Sequence, residues 1–383
     1  MPRVLLATGG TGGHIFPAVA LARALEPLGF TCGILGGSGG MEERIAAQEN
    51  LEFFGVRTGK LDRSSPDPRA VLRALAGFAD AAGLVSRIRP AVVIGFGGFA
   101  SFPGSAAAIL RGVPLVLHEA NARPGLVTKL LAGFSRRVAL ADETASKELP
   151  SNKSVWVGMP VREVHVPRAE ALHELGLEPE KPLVLVMGGS QGSVKLNQLL
   201  PGILERALAG KNVQVLHQTG RGRLEEVAPC VAHLPWYHTA EFVDGPTAWS
   251  AASAGITRAG YSTIADAAFH GVPLVMIPLP SASEDHQTKN ARSVEARGAG
   301  LVVPQTLLES EAATLLKFAS IAANLSDPGI LPGPLETGIL ACLQPERAPL
   351  MRASALASSP QGAAQRLAAL VLDCIGSSQR VTS

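Results

Sequence analysis

The chain has 383 residues, 46% of them hydrophobic, which at ordinary domain sizes is enough for two buried cores. Its formal net charge is only +2, so it is not a nucleic-acid-binding protein held by its overall field, and any basic site must be local. The four cysteines, Cys32, Cys230, Cys342 and Cys374, have no paired spacing, which excludes a zinc knuckle and a disulfide framework and fits a reducing compartment.

Only Met1, Pro2 and Arg3 precede the first apolar run, which meets glycines at once, so no signal peptide is expected. Short Val/Ile/Leu runs bounded by glycine then alternate with Ala/Leu-rich stretches of helical length. This is the pattern of a parallel α/β sheet covered by helices on both faces. Strands are predicted at 4–7, 31–35, 91–95, 114–118 and 137–141 in the first half, and at 183–187, 213–219, 255–257 and 274–278 in the second. The uncharged stretch 91–110 contains Gly95, Gly97, Gly98, Pro103 and Gly104, and reads as strand, loop and helix start instead of a membrane span. The two halves open alike, each with a buried strand, a glycine-rich loop and a helix. The repeat distance of about 180 residues predicts two Rossmann-like domains, broken near Gly158-Met159-Pro160. Residues 320–338 read as a loop-rich surface insertion. Residues 361–375 have helical spacing and are expected to form a terminal helix that packs back on the first domain.

Gly9, Gly10, Gly12 and Gly13 follow a strand and precede a helix, where bare N–H groups and the helix dipole face an anion; a tight turn with positive φ explains them equally. His14 comes next, at the carboxyl edge of the sheet where open α/β folds bind ligands, so a catalytic role competes with a structural one. The second loop, Gly188 to Gly192, adds the Ser190 hydroxyl and the Gln191 amide, which suit a diphosphate or sugar hydroxyls. Asp266, in the first turns of a helix predicted after Arg258, either complements the dipole or bridges two ribose hydroxyls. His286, Gln287 and Asn290 leave a strand end as polar groups suited to sugar hydroxyls or simply to a polar loop. No two aspartates are separated by a single residue, so the usual metal clamp on a sugar-nucleotide diphosphate is missing and no metal is expected.

Together these motifs resemble the MurG family of UDP-GlcNAc:lipid I N-acetylglucosaminyltransferases. The likeness spans roughly residues 1–305. It rests on Gly9-Gly-Thr-Gly-Gly-His14, Gly95-Phe-Gly-Gly-Phe-Ala-Ser101, His118-Glu-Ala-Asn121, Pro160-Val-Arg162, Gly188-Gly-Ser-Gln-Gly192, Arg258-Ala-Gly260 and Asp285-His-Gln-Thr-Lys-Asn290. The resemblance implies a GT-B fold: an acceptor domain at 1–160, a UDP-GlcNAc donor domain at 161–360, and a cleft between two parallel sheets. It implies inverting transfer of GlcNAc to the muramyl 4-hydroxyl of undecaprenyl-linked lipid I, forming lipid II for peptidoglycan synthesis, with no cofactor. It makes His14 the general base. Thr11, Gly12, Gly13, Asn121, Arg162, Ser190, Gln191, Val243, Arg258, Asp266, His286 and Gln287 are then donor-binding, and Gly97, Gly98, Ser101, His118 and Glu119 lie on the acceptor side. The resemblance further implies peripheral attachment to an anionic membrane at the cytoplasmic face, and it leaves room for contacts with other cell-wall synthesis proteins.

The chain departs from the family in having Asp266 for a usual glutamate, Ala120 for glutamine and Met159 for asparagine, and in the 320–338 stretch. The competing sequence readings are a glycosyltransferase with another acceptor, a nonhydrolysing UDP-GlcNAc epimerase and a non-catalytic nucleotide-sugar-binding module. A dinucleotide oxidoreductase is disfavoured because Gly9 to Gly13 does not match G-x-G-x-x-G.

Overall fold

The computed structural model describes residues 1–57, 68–189, 192–282, 285–319 and 331–379, with side chains throughout except at 68–74, 316–319 and 377–379. Among the described residues thirteen strands form two sheets. The first contains β1 (Arg3–Ala7), β2 (Thr31–Gly37), β3 (Glu52–Val56), β4 (Val92–Gly95), β5 (Leu115–Glu119), β6 (Arg137–Leu140) and β7 (Ser154–Trp156). The second contains β8 (Leu183–Met187), β9 (Gln214–Gln218), β10 (Tyr237–Ala240), β11 (Ala254–Thr257), β12 (Leu274–Met276) and β13 (Gly300–Val302). All pairings are parallel, in the orders β3-β2-β1-β4-β5-β6-β7 and β10-β9-β8-β11-β12-β13. Both begin with the order of a Rossmann fold, in which the chain reverses its direction of travel between the first and fourth strands and opens a crevice at their carboxyl ends. In the first sheet that point lies between β1 and β4, in the second between β8 and β11.

The central strands β1, β4 and β8 are apolar runs because helices cover both of their faces. Val4, Leu5, Leu6, Val92, Val93 and Ile94 are fully buried, as are Leu183, Val184, Leu185 and Val186. The four outermost strands, β3, β7, β10 and β13, were not predicted. Each is covered less completely, and Tyr237-His-Thr-Ala240 in particular carries no apolar run to signal it.

The backbone divides into two compact units, Met1–Val161 joined by the stretch opening at Gln361, and Arg162–Pro360. The helix Ala363–Gln379 places Leu367, Ala368, Val371 and Cys374 in one cluster with Val4, Leu6, Leu21 and Ile94. Arg366 fastens it, donating from Nε and Nη2 to the Val157 carbonyl at 3.0 and 2.8 Å. The expected insertion at 320–338 needs correcting at its end. Pro334 opens a helix (Pro334–Leu343) and Leu335 is fully buried, while Glu311 accepts from Leu335 N at 2.9 Å and caps that helix from its neighbour. Residues 320–330 lie outside the described ones.

Candidate functional site

In the first unit the loops after β1 and β4 meet at the point of reversal. Gly9 and Gly10 take φ of 152° and 86°, backbone that only glycine adopts without strain, and Thr11 then caps the helix Gly12–Leu25 with extended geometry. His14 is half-buried in the first turn of that helix, and its carbonyl accepts from Thr8 Oγ1 at 2.8 Å. The loop after β4 wraps its imidazole. A methyl group on Gly98 would stand 3.0 Å from His14 Cδ2 and 3.2 Å from the Gly9 carbonyl, and one on Gly97 would stand 3.6 Å from His14 Cε1. Gly97 and Gly98 are therefore required as glycines by φ values of 78° and 70° and by the ring beside them. Thr11 is exposed and Gly12 and Gly13 are partly so, leaving the helix N-terminus open to an anion.

Three residues assigned to the acceptor side turn out to be internal supports. His118 is fully buried on β5, with its ring 5.4 Å from that of Phe96. Burial, reinforced by His14, pushes its pKa down to about 3, so it is a neutral imidazole. Ser101 is also fully buried and donates to the Gly98 carbonyl at 3.0 Å, holding the loop against His14. Glu119 is 3% exposed, and its carboxylate accepts from Asn121 N at 3.0 Å, Asn121 Nδ2 at 3.1 Å and Gly125 N at 3.0 Å. It shapes the loop that carries Asn121; burial raises its pKa despite those bonds.

A further support gave no sequence signal. Glu42, 3% exposed at the start of the helix Met41–Gln48, accepts from Gly37 N at 2.9 Å and from Gly10 N at 3.4 Å. The Gly10 N–H, offered by the sequence to an external anion, already faces an internal carboxylate. The open donors of this loop are therefore those nearer Gly12 and Gly13.

In the second unit the loop after β8 and the end of β11 meet in the same way. Ser193 caps the helix Val194–Leu208, and Arg258, 7% exposed, donates from Nε and Nη2 to Ser193 Oγ at 3.2 and 3.1 Å, and from Nη1 to the Ile277 carbonyl at 3.1 Å. Burial lowers its guanidinium pKa to about 10, which still leaves it a cation at neutral pH. Ser190 and Gln191 lie outside the described residues. The helix after Arg258 begins at Tyr261, so Asp266 sits in its second turn, beyond the reach of a dipole effect confined to the first. Its carboxyl is raised to about 7 by burial alone.

The remaining assigned residues surround these. Val243 is buried beside Asp244, which caps the helix Gly245–Ala251 through Thr247 N at 3.2 Å and pairs with the exposed Arg162 at 3.1 Å. A cavity of about 450 Å³ opens there, lined by Leu216, His238, Ala240, Phe242, Val243 and Asp244. His286 is the first residue of the helix His286–Ala296, after Asp285 with φ of 56°. Gln287 accepts from Leu279 N at 2.9 Å, and the fully buried Asn290 donates to the Ala259 carbonyl at 3.2 Å, so both tie loops at the strand ends. Among the described residues no group of three or more His, Cys, Asp or Glu side chains is arranged to hold a metal ion.

The comparisons with known proteins agree with this geometry. The glycosyltransferase family 28 N-terminal domain matches residues 4–140, and the corresponding C-terminal domain matches residues 183–325. The UDP-N-acetylglucosamine--N-acetylmuramyl-(pentapeptide) pyrophosphoryl-undecaprenol N-acetylglucosamine transferase of Deinococcus radiodurans is 45% identical, covering 97% of this chain and 95% of its own. The Thermus thermophilus protein of that name is 42% identical, covering 80% of this chain and 89% of its own. Among solved structures, MurG of Acinetobacter baumannii superposes with a TM-score of 0.74 at 26% identity, covering 97% of this chain and all of that one. Two parallel sheets in Rossmann order, each with a glycine-rich loop at its reversal point, and identity of this extent together establish that the chain belongs to glycosyltransferase family 28 and, within it, to the MurG family.

Proposed function

We propose that the chain transfers N-acetylglucosamine from UDP-GlcNAc to the muramyl 4-hydroxyl of lipid I, yielding lipid II and UDP. The observation that carries this reading is 45% identity over 97% of the chain to a transferase of that name, with His14 and Arg258 standing at the two reversal points. His14 takes the proton of the acceptor hydroxyl as its oxygen attacks the anomeric carbon and the bond to the diphosphate breaks, so one displacement inverts that centre. The diphosphate is held by N–H groups of the Gly188–Gly192 loop with Ser190 and Gln191, and its charge is met by Arg258 at the helix N-terminus. Asp266 accepts from the ribose hydroxyls, the backbone at Val243 meets the uracil, and His286 with Gln287 meets the sugar. Thr11, Gly12, Gly13, Asn121 and Arg162 serve the phosphates. Gly97 and Gly98 form the acceptor side of the His14 pocket, with Ser101, His118 and Glu119 behind it. Labelled UDP-GlcNAc and a lipid I analogue test the reading: a labelled disaccharide lipid with release of UDP is expected, and UDP release without that lipid refutes it.

The acceptor's lipid tail cannot leave the bilayer, and no described helix is long and apolar enough to cross one, so the chain meets the membrane from its cytoplasmic face as a peripheral protein. The segment 69–88 is the contact surface we favour, from its sequence, on account of Arg69 and Arg73, whose side chains lie outside the described ones. Leu75 is 61% exposed on it, whereas Phe78 packs against the core and is not available, and Asp80 is engaged by Arg57 through two bonds of 2.7 Å. Val71 and Leu72, also apolar residues of the segment, fall outside the described side chains. Arg69→Glu with Arg73→Glu is expected to weaken sedimentation with anionic vesicles and to spare turnover on a short-chain acceptor. Unchanged sedimentation moves the contact elsewhere.

A further inference from the structure

The end of β9 carries a buried polar cluster to which no role has yet been given. Gln218, 2% exposed, donates from Nε2 to the Gly189 carbonyl at 3.1 Å. The next carbonyl, that of Thr219, lies against Gly192, where any side chain would collide with it. Thr219 O in turn accepts from Asn197 Nδ2 at 3.0 Å. Gly189 and Gly192 are the two shoulders of the donor loop, so β9 grips that loop at both ends.

Behind this grip the hydrogen bonds run in one direction. Asn197 Nδ2 faces two groups that only accept, the Thr219 carbonyl and Glu226 Oε2 at 2.9 Å, which fixes the amide orientation and leaves Oδ1 for His217 Nε2 at 3.2 Å. His217 must therefore carry its proton on Nε2 and accept from the Tyr237 hydroxyl on Nδ1, at 2.9 Å. Burial holds His217 neutral, with its pKa near 3, so the chain from Tyr237 to Thr219 has no competing protonation state at neutral pH.

We infer that Gln218 is a positioning residue of the donor site, acting with Asn197 to hold Gly189 and Gly192, the described ends of the loop, in place for the donor diphosphate. The inference rests on the reading of that loop as the diphosphate site. A merely structural role would weaken every ligand alike or lower the melting temperature alone; positioning predicts a loss confined to ligands that carry the diphosphate. Deleting one buried hydrogen bond to the loop is expected to weaken diphosphate binding by about tenfold.

The test uses the full chain with Gln218→Met, which conserves volume and removes the donor, and with the isosteric Gln218→Glu as a second variant should the first fail to fold. UDP and uridine are titrated by calorimetry, and KM for UDP-GlcNAc and kcat are measured beside the melting temperature. The expected result is a tenfold loss for UDP, no change for uridine, and a KM increase larger than any fall in kcat. Equal losses for UDP and uridine, or an unchanged UDP affinity, overturn the assignment. A wild-type protein that binds uridine as tightly as UDP refutes the diphosphate-loop reading itself, whatever the variants do.

Discussion

Arg258 and Ser193 come from the two sides of the reversal point in the second sheet, and two arms of the guanidinium converge on one hydroxyl at 3.2 and 3.1 Å. The third arm goes to a backbone carbonyl, so each of these bonds ends on a neutral acceptor, and the Glu309 carboxylate acts on the guanidinium only as a smaller effect opposing burial. A desolvated cation at a helix N-terminus adds to the dipole there, and the two together favour a bound phosphate.

The first expectation follows from that arrangement. Arg258→Lys keeps the charge but cannot span Ser193 and Ile277 with one ammonium, so UDP affinity should fall by about tenfold or more. Calorimetry at fixed salt checks it. An affinity within twofold of wild type would place the diphosphate away from Arg258.

His14 supplies the second. His14→Ala should lower turnover about a hundredfold, the usual scale for a lost general base, with UDP affinity retained. Gly98→Ala should mimic it in part, because the added methyl meets His14 Cδ2 at 3.0 Å and the backbone φ of 70° disfavours any side chain. If Gly98→Ala turns over normally, the imidazole is not held where transfer needs it.

What could be read from the residues alone follows how each group obtains its partner. The nine predicted strands are the inner ones, fully covered at their apolar centres, whereas the four outermost are only partly covered. The positions of His14 and Arg258 at strand ends beside glycines were legible, and the structure has both at the points of reversal. His118 and Glu119 occupy a similar place in the sequence, yet one is buried against Phe96 and the other braces Asn121. Sequence spacing cannot separate a polar group that faces a ligand from one that faces its own backbone. Glu42 and Gln218 were invisible for a different reason: their partners lie 32 and 29 residues away and appear only when the loops close on them.

Metal dependence gives the third expectation. The chain has no aspartate pair spaced to clamp a diphosphate-bound metal, and on the proposed reading Arg258 meets that charge instead. UDP binding should therefore be the same in excess EDTA as in magnesium, read by calorimetry. A loss of more than tenfold on chelation would require metal ligands among side chains that carry other roles in this account.

The last expectation concerns pH and rests on Asp266. Loss of water around its half-buried carboxyl raises the pKa from 3.8 to about 7 in the ligand-free protein, so the group takes up a proton near neutrality. A carboxylate that accepts from two ribose hydroxyls is stabilised in its charged form, so donor binding must expel the proton. Affinity for UDP-GlcNAc, whose phosphates do not titrate in this range, should rise about tenfold from pH 6 to pH 8, with proton release measurable in buffers of different ionisation enthalpy. Stability of the empty protein should move the other way. A carboxyl bound to its proton more tightly when folded than when unfolded favours the folded state at low pH, and that contribution is lost as pH climbs from 3.8 to about 7. Asp266→Asn should flatten both profiles, weakening donor binding at pH 8 and sparing stability there. An affinity that is flat in pH for the wild type, or a variant that keeps the wild-type slope, would remove Asp266 from the ribose site.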